Sequence, residues 1–459
     1  MSDANSSKPR YVTQTLAGWG NHPRQECHVY RPERPRDVGA ILQAAEDRSL
    51  IARGLGRSYG DPALNESQGV ILQTRLNRML AFDESTGVLR CEAGVSFAEM
   101  IEVFLPRGWF LPVTPGTKFV TVGGAIAADV HGKNHHRDGS MANYVLELEL
   151  LTASGKVMPC SRDANADAFW ATIGGMGLTG CILSASIRLM RVESAYVSVS
   201  YRKAAYLDSA LEISQAEDGR FQYSVAWIDC LASGGSLGRS ILIRGNHAPA
   251  SAAPSRDAPF TVARARRKNV PFMLPGGVLN SLTIGAFNSQ FYRKHDDREV
   301  VVDYDRFFYP LDSIEHWNRL YGRRGFAQYQ VLFPLETSRR GLIAVLEALS
   351  ASKRPAFLSV LKRTGAASGG ILSFPFPGQT LALDLPNRAD LPEFLRGLDR
   401  IVLQHGGRLY LAKDTFTTSD TFAQMYPQLE RFRAVKGELD PNNRLSSSQA
   451  RRLRIVEER

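Results

Sequence analysis

The spacing of apolar and polar residues changes character near residue 195. Before that point, short elements alternate with loops. Residues 37–47 (DVGAILQAAED) set Val38, Ile41, Leu42 and Ala45 at helical spacing behind Asp37, which predicts a short amphipathic helix with an acidic cap. Residues 50–52 read as a strand, as do 70–74 and 88–92, with polar turns around 83–87. The word SFAE at 96–99 is a capping box that opens a helix through Leu105, closed by Pro106 and Gly108. Residues 144–152 (YVLELELLT) alternate as a strand, 167–172 make a helical turn in which Phe169 and Trp170 read as core, and 181–189 form another strand. Beyond residue 195 the strand-like runs lengthen: AYVSVSYRK, FQYSVAWIDC, SILIRGN, FAQYQVLFP, FLSVLKRTG and TLALDLP. Two helices interrupt them, one with Leu342, Val345, Leu346 and Leu349 on a face, the other with Leu391, Phe394, Leu395, Leu398 and Val402. The pattern predicts an α+β chain whose second part is an antiparallel sheet backed by helices. In the tail, 408–414 (RLYLAKD) reads as a strand ending at Lys413, and a helix carries Phe422, Met425, Leu429 and Phe432.

Three glycine-rich stretches interrupt this pattern. They are ARGLGRSYGD at 52–61, TPGTKFVTVGGAIAADVHGKNHHRDGS at 114–140, and GGMGLTG at 174–180. Glycine lets backbone approach a ligand and exposes N–H donors, and the first stretch leaves a strand, where amides can wrap a diphosphate. It is not a Walker motif, and its GxGxxxG spacing misses the GxGxxG dinucleotide fingerprint. The central stretch adds His131, His135 and His136, which can hold or move protons near neutral pH. The plainer reading of that stretch is a loop with surface histidines. Residues 271–296 are apolar without clean periodicity, which fits a lid, a lipid-facing surface or an ordinary packed loop.

Composition narrows the options. A chain of 459 residues, 44% hydrophobic and 22% charged, has material for two or three domains. Five scattered cysteines with no CxxC pair argue for a reducing compartment and against a disulfide scaffold or zinc site. The polar leader lacks a signal-peptide core and no apolar run could span a bilayer, so a cytoplasmic protein, or one peripheral on the cell membrane, is expected. A net charge of +10 favours anionic partners. The basic clusters RARRK (264–268) and RRLR (451–454) are short and no nucleic-acid-binding signature accompanies them, so no nucleic acid is expected.

The words ARGLGRSYGD, PGT with VTVGGAIAADVHGKNHH, FWATIGG, GLTG, SVAWID, QYQ, LSFPFPG and GGRLYLAKD together cover nearly the whole chain. In them the chain resembles the vanillyl-alcohol oxidase superfamily, and more closely the flavin subunits of decaprenylphosphoryl-β-D-ribose 2′-epimerases. The resemblance implies a two-lobed FAD-binding domain over 6–194, a substrate domain over 195–406, and a segment, 407–459, that returns to the FAD-binding domain. It places FAD contacts on Ala52, Arg53, Gly54, Leu55, Gly56, Arg57, Ser58, Tyr59, Gly60, Asp61 and Pro62, then on Gly116, Thr121, Val122, Gly123 and Gly124, and finally on Ala128, Asp129, Val130, His131, Cys181 and Tyr410. Many relatives tether FAD through a histidine where this chain has Arg57, so noncovalent FAD is expected.

The reaction implied is oxidation of the 2′-hydroxyl of a polyprenylphosphoryl ribose to the 2′-keto sugar. Hydride transfer from a secondary alcohol needs a group for the hydroxyl proton and positive charge near the reduced cofactor. Lys413 can supply the charge and His131 can handle a proton, with Tyr59 the third candidate catalytic residue. Gln330, Lys362 and Trp227 are candidate substrate contacts. So are Ala382 and Phe308, where mycobacterial members carry cysteine and tyrosine. Returning hydride to the opposite face would need an NAD(P)H-dependent short-chain reductase as partner, since this chain lacks that fingerprint. The lipid phosphate would account for basic charge and a peripheral membrane contact. Two rivals remain: a sugar-lactone or alditol oxidase on the same scaffold, although the HWGK word of lactone oxidases continues here as Asn318-Arg319, and a noncatalytic binding protein.

Overall fold

The computed structural model describes residues 9–45, 48–263, 267–275 and 277–456. The N-terminal leader through residue 8, the last residues of the 37–47 segment and most of the RARRK cluster lie outside them. Three main sheets organise the chain. The first has four strands in the order Val12–Ala17, Arg24–Tyr30, Gly69–Leu72, Leu50–Arg53; the first pair is antiparallel and the rest parallel. The second is a five-stranded antiparallel sheet ordered Met79–Asp83, Val88–Glu92, Cys181–Arg188, Val145–Leu151, Val157–Ser161.

The third sheet has eight antiparallel strands: Arg298–Asp303, Tyr196–Ala204, Ser240–His247, Tyr223–Ile228, Ser359–Thr364, Gly378–Pro386, Phe326–Pro334 and Arg408–Leu409. Helices Leu335–Ser352 and Leu391–Gln404 pack on one face of this sheet, as the sequence predicts. Because side chains alternate along a strand, Leu381, Leu383 and Leu385 go to the helix side with Tyr329, whose hydroxyl donates to Asp399 of the second helix at 2.7 Å. Gln328, Gln330, Thr380, Ala382 and Asp384 then share the opposite face, in the pairs Gln328↔Asp384 and Gln330↔Ala382. One face of these strands is core and the other is polar.

Local chemistry moved several expected boundaries. The first helix runs Pro35–Ala44, and Asp37 sits inside its first turn, accepting from the N–H groups of Glu33 and Arg34 instead of capping from outside. The strand expected over 408–414 stops at Leu409; the chain then turns, with Lys413 N–H on the Tyr410 carbonyl at 2.9 Å. The single helix expected through Phe432 is two, Ser419–Met425 and Leu429–Leu439, because Pro427 has no N–H to give and disfavours helical backbone at Tyr426. The irregular apolar stretch contains the helix Ser281–Lys294, opened by a capping box in which Asn280 accepts from Leu282 and Thr283 N–H. Among the described residues no helix is long and apolar enough to cross a membrane.

The C-terminal segment packs back on the first sheet. Leu50 N–H donates to Arg444 and Ser446 N–H to Leu50, and Tyr59 N–H donates to Ala412 at 3.0 Å. Arg452 grips Asp61 through two bonds, 3.0 and 2.7 Å, and Asp414 through a third at 2.8 Å. Both carboxylates are buried, and together they hold the guanidinium firmly protonated. Arg452→Met should therefore leave two buried carboxylates facing each other and cost about 3–5 kcal/mol of stability. Chemical denaturation of the purified variant checks this; a loss below about 1 kcal/mol, the range of an exposed ion pair, would contradict it.

Candidate active site

The three glycine-rich stretches meet. A cleft of about 300 Å³ is walled by residues of 52–63, 114–133 and 176–182 on one side and by the polar face of the eight-stranded sheet on the other. Gly54 lies so close to the second stretch that a Cβ there would stand 2.2 Å from Thr121 Oγ1, the side chain that caps helix Val122–Ala127. Gly116 is the reverse case: a Cβ on it would meet nothing within 4 Å. The backbone N–H groups of Leu55, Gly56, Arg57 and Ser58 donate to no acceptor among the described residues. Four successive amides facing a cleft form an anion cradle. An open trough beside Gly116 and the buried His131 Nδ1, which has no partner, complete a donor set that suits a flavin dinucleotide.

The sheet side carries the titratable groups. Gln330 donates its amide to His131 Nε2 at 3.0 Å and to Thr380 Oγ1 at 3.1 Å, which fixes His131 as the tautomer with its proton on Nδ1. Burial first, then Lys362, His135 and Lys413, drive its pKa well below the ordinary histidine value, so it is neutral. Lys413 extends from the turn after Tyr410 and sets Nζ 4.0 Å from the centre of the Tyr59 ring. It opens to the cleft while being ringed by protein, and burial brings its pKa down to about 7, with Asp384 pulling upward and Lys362 downward. Asp384 accepts from the Gln328 amide, keeps one oxygen unpartnered, and is pushed up by burial to about 7. Lys133 donates to the carbonyls of Phe307 (2.6 Å) and Phe308 (3.1 Å), with its pKa lowered to about 7 by burial and Lys362. Lys362, lowered by burial to about 8, has no ion-pair partner among the described residues. Arg57 stacks on Trp19 at 4.0 Å.

Of the residues singled out from sequence, Ala52, Arg53, Gly54, Leu55, Gly56, Arg57, Ser58, Tyr59 and Pro62 line the cleft, as do Gly116, Thr121, Gly123, Gly124, Ala128, Val130, His131 and Tyr410. Gln330, Lys362, Ala382 and Lys413 line it from the sheet side. Seven stand behind the wall. Gly60 packs on the Asp414 backbone and Asp61 is in the Arg452 clamp. Val122 is buried in its helix, while Asp129 accepts from Ala142 N–H and Ser368. Cys181 is in the core, Trp227 packs on Phe291, and Phe308 packs edge-on against Tyr223 and Phe307 and tilted against Phe110. Sequence reading passed over Asp384, Gln328 and Lys133. The signal for Asp384 was in TLALDLP, where a carboxylate occupies the face opposite three leucines.

With the site described, comparison with known proteins is decisive. The chain is 39% identical over 455 residues to the decaprenylphosphoryl-β-D-ribose oxidase of Mycolicibacterium smegmatis, covering 97% of this chain and 98% of the relative. It belongs to the decaprenylphosphoryl-β-D-ribose oxidase family. The FAD binding domain family matches residues 28–161, which hold the first two glycine stretches, and the D-arabinono-1,4-lactone oxidase family matches 383–453, which holds Asp384 and Lys413. An uncharacterised Streptomyces coelicolor protein is 35% identical over 371 residues, 78% of this chain and all of its own length. Bovine L-gulonolactone oxidase is 22% identical over 431 residues, 90% of this chain and 91% of its own. As a member of the decaprenylphosphoryl-β-D-ribose oxidase family, the chain is a flavoprotein oxidoreductase with FAD as cofactor, and the amides of 55–58 are the groups suited to its diphosphate.

Two outcomes follow from this geometry. Gly116→Leu fills open trough instead of packed core, so the purified variant should keep its unfolding temperature as apoprotein yet retain less than about a tenth of the wild-type flavin absorbance; full yellow colour would remove Gly116 from the cofactor wall. Competitive acylation followed by peptide mass spectrometry should titrate Lys413 near pH 7. Asp384→Asn removes the anion that favours the ammonium, so that midpoint should move to lower pH, and an unmoved or raised midpoint would break the proposed coupling.

Proposed function

We propose that this chain oxidises the 2′-hydroxyl of a polyprenylphosphoryl ribose to the 2′-keto sugar, the first half of epimerisation to the arabinose form. The observation that carries the substrate class is the charge of the cleft. Arg53, Arg57, Lys133, Lys362 and Lys413 line it, with Asp312 the one carboxylate on its wall among the described residues and Asp384 set just behind Gln328. Lys362 depresses the pKa values of His131, Lys133, His135 and Lys413, so these groups share one poorly screened field. Such a cleft favours an anionic substrate over a neutral lactone or alditol.

FAD, when bound, supplies the hydride acceptor for the carbinol carbon. The chain does the rest. The sugar lies against Gln330, Ala382 and Lys362. His131, neutral and with Nε2 held by Gln330, serves as a hydrogen-bond donor through Nδ1. The hydroxyl proton passes to the neutral amine of Lys413, and the ammonium so formed is favoured by the nearby charge of Asp384 and faces the Tyr59 ring. The positive charge therefore arises on the cleft wall, where it would offset the negative charge that reduction gives a bound flavin.

In this reading the four-stranded and five-stranded sheets are the two lobes of a vanillyl-alcohol-oxidase-type FAD domain over 6–194, with the substrate domain over 195–406 and a returning segment over 407–459. Arg57, stacked on Trp19 in place of a tethering histidine, supports noncovalent FAD. The keto product passes to an NAD(P)H-dependent short-chain reductase, and the lipid-linked substrate brings the enzyme to the membrane surface. The match to the lactone oxidase family over 383–453 favours a second reading, oxidation of a free sugar lactone. Anaerobic mixing with a prenylphosphoryl ribose should bleach the oxidised flavin band, whereas free lactones and alditols should not. Lys413→Ala and His131→Ala should each slow bleaching on the order of 100-fold with flavin retained. Near-normal rates in both variants would refute the catalytic assignment.

A further inference from the structure

A second surface packs against the cleft wall. Phe272 is 64% exposed, Val278 43%, Leu282 83% and Phe287 41%, so four large apolar side chains lie in solvent on one segment. They cluster on the approach to helix Ser281–Lys294 and on its first turns; Thr283 Oγ1 donates to the Val278 carbonyl at 2.8 Å and fastens that approach to the helix. The helix is not loose. Ile284 and Asn288 are buried beneath it, Asn288 donates to Asp229 at 2.7 Å, and Phe291 packs on Trp227 with ring centres 4.8 Å apart. Leu282 is thus held outward by a seated helix.

The charge on this stretch is one-sided. From residue 258 to residue 295 the chain has six arginines and lysines and no aspartate or glutamate; acids resume at Asp296. The patch also joins the cleft. Leu279 packs in a cluster with Trp317, which lines the cleft wall, and Phe287 contacts Phe357, next to the cleft residue Leu358. A continuous band of packed apolar side chains therefore links the exposed segment to the cleft wall.

We propose that the segment from Phe272 through the helix Ser281–Lys294 is a docking surface for a bilayer with anionic headgroups, its apolar side chains entering the interface while its basic residues meet phosphate. Arg267 is partly offset by Glu315 at 3.8 Å, but Asp296 and Asp297 pair with Lys203 and Arg202, which leaves Arg293 and Lys294 at the end of the helix to meet phosphate. Apolar anchors followed by such basic residues match that partner; a protein partner would be expected to bring pairing for both signs of charge. The proposal rests on the lipid-linked substrate read above and adds the route by which a membrane-held prenyl chain reaches Trp317.

The test uses the FAD-loaded protein and vesicles without substrate. Wild type should float with vesicles containing about one-third phosphatidylserine and less so with pure phosphatidylcholine or at high salt. Phe272→Glu with Leu282→Glu should reduce partitioning to anionic vesicles by about tenfold or more, with flavin spectrum and unfolding temperature unchanged. The same double variant should oxidise a water-soluble, short-chain prenylphosphoryl ribose at the wild-type rate but lose turnover on a long-chain substrate embedded in vesicles. Wild type that stays unbound, or a double variant that floats as well as wild type, overturns the surface. Failure of wild type on the short-chain compound would instead overturn the substrate reading, and flotation would still decide the surface.

Discussion

The position of Lys413 depends on one buried junction. The loop after the first parallel strand and the segment carrying Lys413 are separated by about 350 residues of chain, yet they are bonded twice: Tyr59 N–H to Ala412 carbonyl, and Arg452 between Asp61 and Asp414. Backbone pairing alone would leave the loop free to pivot. The guanidinium adds a rigid, planar fork whose donors are divided among two carboxylates and the Thr417 carbonyl, and this fixes orientation as well as distance. A charge triad of this kind is a weak source of net stability, because desolvation offsets most of its attraction. What it provides is geometry, and the cleft needs geometry most at Tyr59 and Lys413.

That geometry sets the electrostatics. Burial makes Lys133 and Lys413 lose protons more readily than in water, and the shared presence of Lys362 acts in the same direction. Only Asp384 works against this at Lys413, and it does so from a site where its own charge is costly. The pair therefore titrates as a unit near neutrality, which is where a group that takes a proton and then bears positive charge is most effective. Lys133 shows the contrast: its Nζ is tied to two carbonyls, so it serves as a fixed donor that also anchors the Phe307–Phe308 backbone.

Much of this was legible in sequence, for identifiable reasons. Glycine stretches at 52–61, 114–140 and 174–180 advertise close backbone approach wherever they fall, and the alternating leucines of TLALDLP and the helical spacing of Leu342 to Leu349 report period directly. Less visible were features that arise only when distant segments meet. Asp384 shows in TLALDLP only as a carboxylate opposite three leucines, and its role emerges when the Gln328 amide and the charge of Lys413 come near it; Lys133 reads as one polar residue in HGKNHH until the Phe308 carbonyl closes on it. Helix Ser281–Lys294 was obscured because its buried face is short, and only the Asn280 cap with Thr283 marks its start. The break at Pro427 was readable from the proline alone, but the apolar spacing on both sides of it spoke for a continuous helix.

The two departures from the mycobacterial pattern carry unequal weight once their places are known. Phe308 packs behind the wall and meets Lys133 in two ways: its backbone carbonyl accepts from Nζ, which any side chain would allow, and its ring lies 5.6 Å from Nζ, a face that tyrosine would also present. Losing a tyrosine hydroxyl there alters core packing more than the cleft. Ala382 is different. It is paired with Gln330 on one side and Val360 on the other, and all three line the cleft, so its side chain is part of the surface against which the sugar would lie. An alanine in that row removes a thiol and leaves room between the amide that holds His131 and Val360 of the next strand. Any difference in substrate preference within the family should therefore follow position 382 and the width it gives this row, with the proton-handling pair, Asp384 two residues along the strand and Lys413 on the same side of the cleft, left intact.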